Sequence, residues 1–448
     1  MDAATLSRLQ FGATIAFHYV FPPINIGLGV GLVLMEGAYL WTRRPLYQQM
    51  TRFWVRIFGL TFAIGVATGI VMEFEFGTNW SAYSRFVGDV FGSALAAEGL
   101  FAFFMESGFL GLLLFGWTLV PPAVHFLATV LVCLGAHFSA VWIIVANSWM
   151  QTPAGFQLVG EGAARRAETT DFFAAVLNPS TATRLLHTLM GAWQAGACFV
   201  LSVGAWYVLR RRHEEFGRAA VGFGLVLGLL AAVGSLVTGD WSARVVAAHQ
   251  PAKLAAMEGH YPASAPAPLH VVGWIDEAHE RVVGLRIPGG LSWLVHGDST
   301  APVPGLASVP PADRPPVGAV FQSFHLMVLI GLGLIALESV GAWFWWRGTL
   351  FERRGLLWLF VLSVLAPQAA NQLGWLVAEL GRQPWIVYGL MRTADGVSPR
   401  VAPAAIVASL VLFGLVYLLL FALFLFLLDQ KIRQGPPPLA VEEPHRRA

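Results

Sequence analysis

Five side chains with metal-ligating or acid–base chemistry stand at or near the ends of long apolar runs: His18, Glu98, His187, Met327 and Glu379. Glu379 stands out most, a lone carboxylate just before Gly381-Arg382-Gln383-Pro384-Trp385. A carboxylate at a span end is costly, so a functional role is its default reading. Neutral imidazole, thioether and carboxylate are donor types that can hold haem iron. A His with a Met makes a six-coordinate electron-transfer haem, whereas a His or Glu with an open opposite face leaves room for dioxygen. Alone, His18 would read as a hydrogen-bonded core histidine and Met327 as packing. Their combination points to a stack of metal-bearing cofactors.

Glu106 adds a second carboxylate to the run that holds Glu98, eight residues on. On a regular α-helix the two would lie about 12 Å apart along the axis and about 80° around it. That spacing suits two stations of a proton relay, with Ser139 and Asn147 on the next run as intermediate hydrogen-bond sites. Glu36 and Glu338 fall nearer the opposite membrane face. His125, His213 and His445 sit near loops or ends, where a histidine needs no special role.

These residues must be positioned by membrane helices. The chain has 448 residues, 56% hydrophobic and 12% charged, with a mean hydropathy of +0.64; soluble domains carry roughly 25% charged residues. The net charge of +2, its basic residues in short clusters, excludes a nucleic-acid surface. Cys133 and Cys198 lie singly inside apolar runs, so neither a disulfide framework nor a zinc site is expected. The first apolar run is too long for a cleaved signal and reads as a retained helix.

Apolar stretches at 14–40, 53–74, 94–120, 123–145, 185–208, 219–238, 317–346, 356–380 and 404–428 predict nine transmembrane helices in one all-α polytopic membrane domain, 1–448. Pro121-Pro122 predicts a tight hairpin between the third and fourth. Arg43, Arg44, Arg52, Arg56, Arg210 to Arg212, Arg218, Arg347, Arg353, Arg354, Lys431 and Arg433 mark the inner loops. The N-terminus is then outside and the C-terminus, with a solvated tail at 434–448, cytoplasmic. The longest connection, 239–316, faces outside, with a short hairpin possible around Val283 to Gly290. On this reading His18, Glu98, Glu106, His187, Met327 and Glu379 all gather in the outer half of the bilayer.

Ser7-Arg8-Leu9-Gln10-Phe11, Phe76-Gly77-Thr78-Asn79-Trp80-Ser81, Glu98 to Glu106, Asn147-Ser148-Trp149-Met150-Gln151, Arg184 to His187 and Gly381 to Trp385 occur in this order. With them the chain resembles, over nearly its whole length, subunit I of the cytochrome bd quinol oxidases. The resemblance implies His187 and Met327 as axial ligands of a low-spin haem b, and His18 and Glu379 as ligands of two high-spin haems. It leaves open which of the two holds which haem. It also implies that Glu98 and Glu106 lie on the proton route, Arg382 at haem propionates, Trp375 between haems, and Lys253 and Glu258 in an outer quinol loop. Quinol and dioxygen are the implied substrates. A subunit II and a small single-helix subunit are the implied partners, in a bacterial cytoplasmic (inner) membrane; no nucleic acid is involved.

The chain departs from the family pattern in places. His325 stands where an arginine is usual and could itself ligate iron, though about 200° around the helix from Met327. Gln372 stands where some relatives have a glutamate. The short loop, with His249-Gln250-Pro251 and Val387-Tyr388-Gly389, looks closer to the cyanide-insensitive branch, so the third haem is haem d or haem b. The rival readings are a proton-coupled secondary transporter and a haem electron carrier that never meets oxygen.

Overall fold

Proline decides where the first span breaks. In the computed structural model, which describes residues 1–438, α1 (Ala3–His18) starts on an Asp2 cap and ends at His18, and α2 (Phe21–Thr42) follows with proline in its first turn. Pro22 and Pro23 carry no N–H for the His18 and Tyr19 carbonyls, and at the break Val20 N turns to Phe17 O (3.3 Å), leaving Ala16 O to another donor. Gln372 Nε2 donates to Ala16 O (2.7 Å) and Gln368 Nε2 to Val20 O (3.4 Å). The unusual Gln372 thus supplies a donor where the backbone lacks one.

α3 (Pro45–Thr78) and α4 (Ser81–Ala97) follow. A π-helical stretch, Glu98–Phe103, leads into α5 (Phe104–Phe115). The Pro121-Pro122 hairpin is present, with Pro122 opening α6 (Pro122–Gln151). β1 (Phe156–Val159) pairs with β2 (Arg166–Thr169), then come α7 (Phe172–Val176), α8 (Thr181–Leu209), α9 (Glu214–His249) and α10 (Pro251–Glu258). β3 (Leu269–Asp276) pairs with β4 (Arg281–Ile287), followed by α11 (Gly290–His296), α12 (Val317–Trp346), α13 (Arg354–Leu362) and α14 (Leu365–Leu380). β5 (Trp385–Val387) pairs with β6 (Met391–Arg392), and α15 (Pro403–Gln434) closes the chain.

Among the described residues, 9 helical segments are long and apolar enough to cross a membrane, as the sequence predicts. Their bounds differ from the apolar runs. The first starts at Ala3 rather than 14, the third at Ser81 rather than 94, and the sixth runs on to His249, so the long connection is 250–316. Apolar content marks only the part suited to hydrocarbon. Packing of Tyr83, Phe86, Val87 and Val90 carries α4 beyond it, as does the Asp240–Arg244 pair in α9. The three antiparallel strand pairs correct the all-α expectation outside the spans, and the β3–β4 hairpin begins earlier than expected. Of the expected tail, Gln434 is helical, and residues 439–448, with His445, lie outside the described residues.

The helices end in two distinct layers. At one, the basic end, Gln49 Nε2 donates to Pro437 O (2.6 Å) and Tyr207 Oη to Ile432 O (2.6 Å). At the other, the loop-rich end, Ser398 Oγ donates to Thr78 O (2.5 Å) and Tyr388 N to Met150 O (2.9 Å). α2 and α8 come close because Gly27 and Gly196 face each other: a Cβ on Gly27 would lie 2.5 Å from Ala192 O.

Candidate functional site

At the loop-rich end, a buried charge cluster forms around Glu379. Its Oε1 accepts from Asn147 Nδ2 (3.0 Å), its Oε2 pairs with Arg382, and Asn147 Oδ1 accepts from Arg184. Lys253 also lies within electrostatic reach. Three cations therefore surround one carboxylate. Arg382 Nε and Nη1 and Arg184 Nε are buried with no protein partner. Buried donors with a cationic excess call for further anionic acceptors.

Lys253, 3% exposed, donates from Nζ to Gln151 Oε1 (2.7 Å) and Gln250 Oε1 (3.2 Å). Burial, with Arg184 nearby, holds its ammonium well below the usual lysine range. Gly381 explains how it fits, since a Cβ there would lie 2.9 Å from Lys253 Cγ. Glu258 shares α10 but points elsewhere, about 140° around the helix. Burial pushes its carboxyl up to about 8, and its Oε2 has no partner. Lys253 and Glu258 thus belong to a buried helix, not to a solvated loop.

The two candidate histidine ligands are held by one device used twice. His18 Nδ1 meets Thr68 Oγ1 at 2.9 Å, and His187 Nδ1 meets Thr238 Oγ1 at 3.2 Å. Each threonine donates its own hydrogen to a carbonyl one turn back, Ile64 O at 2.9 Å and Gly234 O at 2.7 Å. The threonine oxygen is then left as the acceptor. That fixes Nδ1 as the protonated nitrogen and turns the Nε2 lone pair outward as the available ligand. The next residue is a glycine in both cases. A Cβ on Gly69 or Gly239 would come within 3.2 Å of the His18 or His187 Cε1 atom. Met327 Sδ lies against Gly374 in the same way, 3.1 Å from where a Cβ would stand. Trp375, next to Gly374, packs edge-on against Tyr19, which follows His18 (centroids 5.3 Å).

Depth corrects the expectation of one shared leaflet. Glu379 and Asn147 lie within about two turns of the loop-rich end, and His187 about 9 Å along α8. His18 is the last residue of α1, about 22 Å from its start, not in its first turns. Glu98 lies about 25 Å along its span from Ser81, with Glu106 farther on. Glu98 accepts from Ser139 Oγ (2.5 Å), and Glu106 packs on Gly135, where a Cβ would lie 2.8 Å from its own. The π-helical stretch absorbs about one residue, so the two carboxylates differ by about 20° around the helix rather than about 80°.

His325 leaves the set of possible iron ligands. Both its ring nitrogens meet backbone carbonyls, of Phe321 (2.9 Å) and His270 (2.8 Å), tying α12 to β3.

The chain matches the family described as "Cytochrome bd terminal oxidase subunit I" over residues 6–436. It belongs to that family. The "Cytochrome bd ubiquinol oxidase subunit 1" of Bacillus subtilis (strain 168) is 38% identical over 97% of this chain and 94% of its own length. The "Cytochrome bd-II ubiquinol oxidase subunit 1" of Escherichia coli (strain K12) is 36% identical over 99% of both. The solved bd oxidase of Geobacillus thermodenitrificans superposes with a TM-score of 0.90 at 30% identity, covering 97% of this chain and 99% of that one. Membership makes this chain a multi-pass membrane subunit of a quinol oxidase, with haem cofactors, a quinol substrate and a partner subunit. The residues of this cytochrome bd subunit fit such cofactors: two histidines with outward Nε2, a thioether, a carboxylate, and unpartnered guanidinium nitrogens suited to propionates.

Sequence reasoning left several contributors to the site without a role: Arg184, Gln151, Thr68 and Thr238. Arg184 was readable as an arginine one turn before His187. The two Thr-Gly pairs carry no signal of their own inside apolar runs.

Proposed function

We propose that this subunit oxidises quinol at the loop-rich end, facing outside a bacterial cytoplasmic membrane, and supports reduction of dioxygen to water with protons from the cytoplasm. Connection 250–316 is the quinol loop. Lys253 holds a quinol oxygen, and Glu258, protonated at rest, first releases its proton outside and then, as the carboxylate, accepts one from quinol. His187 and Met327 hold a low-spin haem b. His18 and Glu379 hold two high-spin haems, one haem b and the other haem d or a third haem b, with Arg382 at propionates and Trp375 between them. The haems supply electron transfer and the oxygen-binding position. Glu106 and Glu98 pass protons inward from the basic end, so charge separates without pumping. Subunit II and a small single-helix subunit complete the complex.

The observation that carries this reading is the triad of cations around Glu379 with buried guanidinium nitrogens left over beside buried Lys253. Reduced-minus-oxidised spectra of the purified complex test the ligands. His187→Ala should remove the low-spin signal and keep the others; an unchanged low-spin band would refute the assignment. Lys253→Ala should lower quinol turnover at least tenfold with haem content intact. Pyridine haemochrome analysis of extracted haem distinguishes haem b alone from haem b with haem d.

A further inference from the structure

Two ionisable residues with no part in the reaction described above form a buried pair near the basic end. Glu36 and His125 are each 2% exposed. His125 Nδ1 lies 2.6 Å from Glu36 Oε1, Thr129 Oγ1 donates to Glu36 Oε2 (2.5 Å), and His125 Nε2 donates to Leu113 O (3.2 Å). With the Nε2 hydrogen given to a carbonyl, a second proton must sit between Nδ1 and Oε1 for that contact to be favourable. The pair therefore holds one exchangeable proton. Trp117 covers the imidazole (centroids 3.9 Å), and the Arg52 guanidinium lies 4.8 Å from the same indole. Tyr39 and Arg56 lie within electrostatic reach of that guanidinium. The adjoining connection, Leu119 and Pro121 to Ala123, is exposed.

α6 links this pair to the site. His125, Thr129, Ser139 and Asn147 fall within a sector of about 80° on that helix. Each one bonds a carboxylate from another element: Glu36 for the first two, Glu98 for Ser139, Glu379 for Asn147. Glu106, on α5 two turns from Leu113, packs on α6 at Gly135, between Thr129 and Ser139. Glu36, Glu106, Glu98 and Glu379 therefore stand in order along one helix.

We propose that the Glu36–His125 pair is the proton-intake site of this subunit, taking protons from solution at the basic end and passing them toward Glu106. A proton leaving the pair is replaced by one from solution, so its charge is restored each cycle. This rests on the reading of Glu106 and Glu98 as a proton relay. The test uses the intact complex in liposomes, with the pH of each face set independently. Glu36→Gln, isosteric and without an exchangeable acid, should lower oxygen consumption at least tenfold with haem spectra unchanged. Its residual rate should rise about tenfold per unit fall in pH on the basic-end face alone; Glu36→Asp should restore most of the activity. Wild-type rates in Glu36→Gln, or a loss equal at all pH values, would overturn the proposal. Loss of haem in both Glu36→Gln and Thr129→Val would also overturn it, in favour of a structural role. Glu106→Gln, measured in parallel, separates the two levels. If it turns over normally the underlying relay fails; if it is impaired while Glu36→Gln is not, the intake site alone fails.

Discussion

The Thr-Gly pairs at 68–69 and 238–239 show how little sequence is needed to orient a candidate ligand histidine. A threonine whose hydrogen is committed to its own helix can only accept from the imidazole, and the following glycine lets the ring lie against bare backbone. Thr238→Val should keep His187 in place but remove that acceptor, making the ring less basic. A hydrogen bond worth about 1 kcal/mol corresponds to roughly 40 mV for one electron, so the low-spin midpoint should rise by about that amount in a redox titration. Glu258 gives a prediction with a sign. Its carboxyl, raised to about 8 from an ordinary 4.5, must ionise to accept a proton, so quinol kcat/KM should climb as outer pH rises and level off above about 8. Glu258→Gln should flatten that limb. Because the folded state holds the proton more tightly, stability from this group is complete below about pH 4.5 and is lost as pH rises toward 8. Hydrogen exchange in α10 should quicken across the same interval. The donor types at positions 18, 187, 327 and 379 were legible in the sequence because polar groups are rare in apolar runs. Threonine is not rare there, so the device that orients the histidines was not.

Hydropathy located every span but misjudged helix ends, and the misjudgement mattered for the site. Taking α4 to begin at Ser81 instead of 94 moves Glu98 from the outer layer to mid-depth, and the break after His18 does the same for that histidine. Periodicity alone also assumes a uniform turn, whereas the wider turn at Glu98–Phe103 swings Glu98 and Glu106 toward the same neighbour, α6. Inserting one alanine after Phe103, beyond that stretch, should swing one carboxylate about 100° from its present place relative to the other. Turnover should then fall as far as in Glu98→Gln, with the quinol-binding constant unchanged. Steady-state kinetics of the purified complex would show it.

On the scale of the whole molecule, the short connections with Arg43, Arg44 and Arg210 to Arg212 lie opposite the long connection 250–316, which makes orientation testable. Cys133 and Cys198 are both buried, so added cysteines should report without background. Trp293→Cys, at a site 58% exposed in the long connection, should react with an impermeant maleimide in intact cells. Arg211→Cys should react only after the membrane is opened. The polar stripe of α6 has a further consequence. From His125 to Ser139 it covers about 21 Å, some two-thirds of a hydrocarbon layer roughly 30 Å thick. A proton carried over that distance works against the corresponding share of the membrane voltage, about 1.6 kcal/mol at 100 mV. On the proposed route, respiration through this subunit should therefore slow as the membrane becomes energised and quicken when an uncoupler collapses the voltage, which would make this helix the point where cellular energy demand sets the rate of oxygen use.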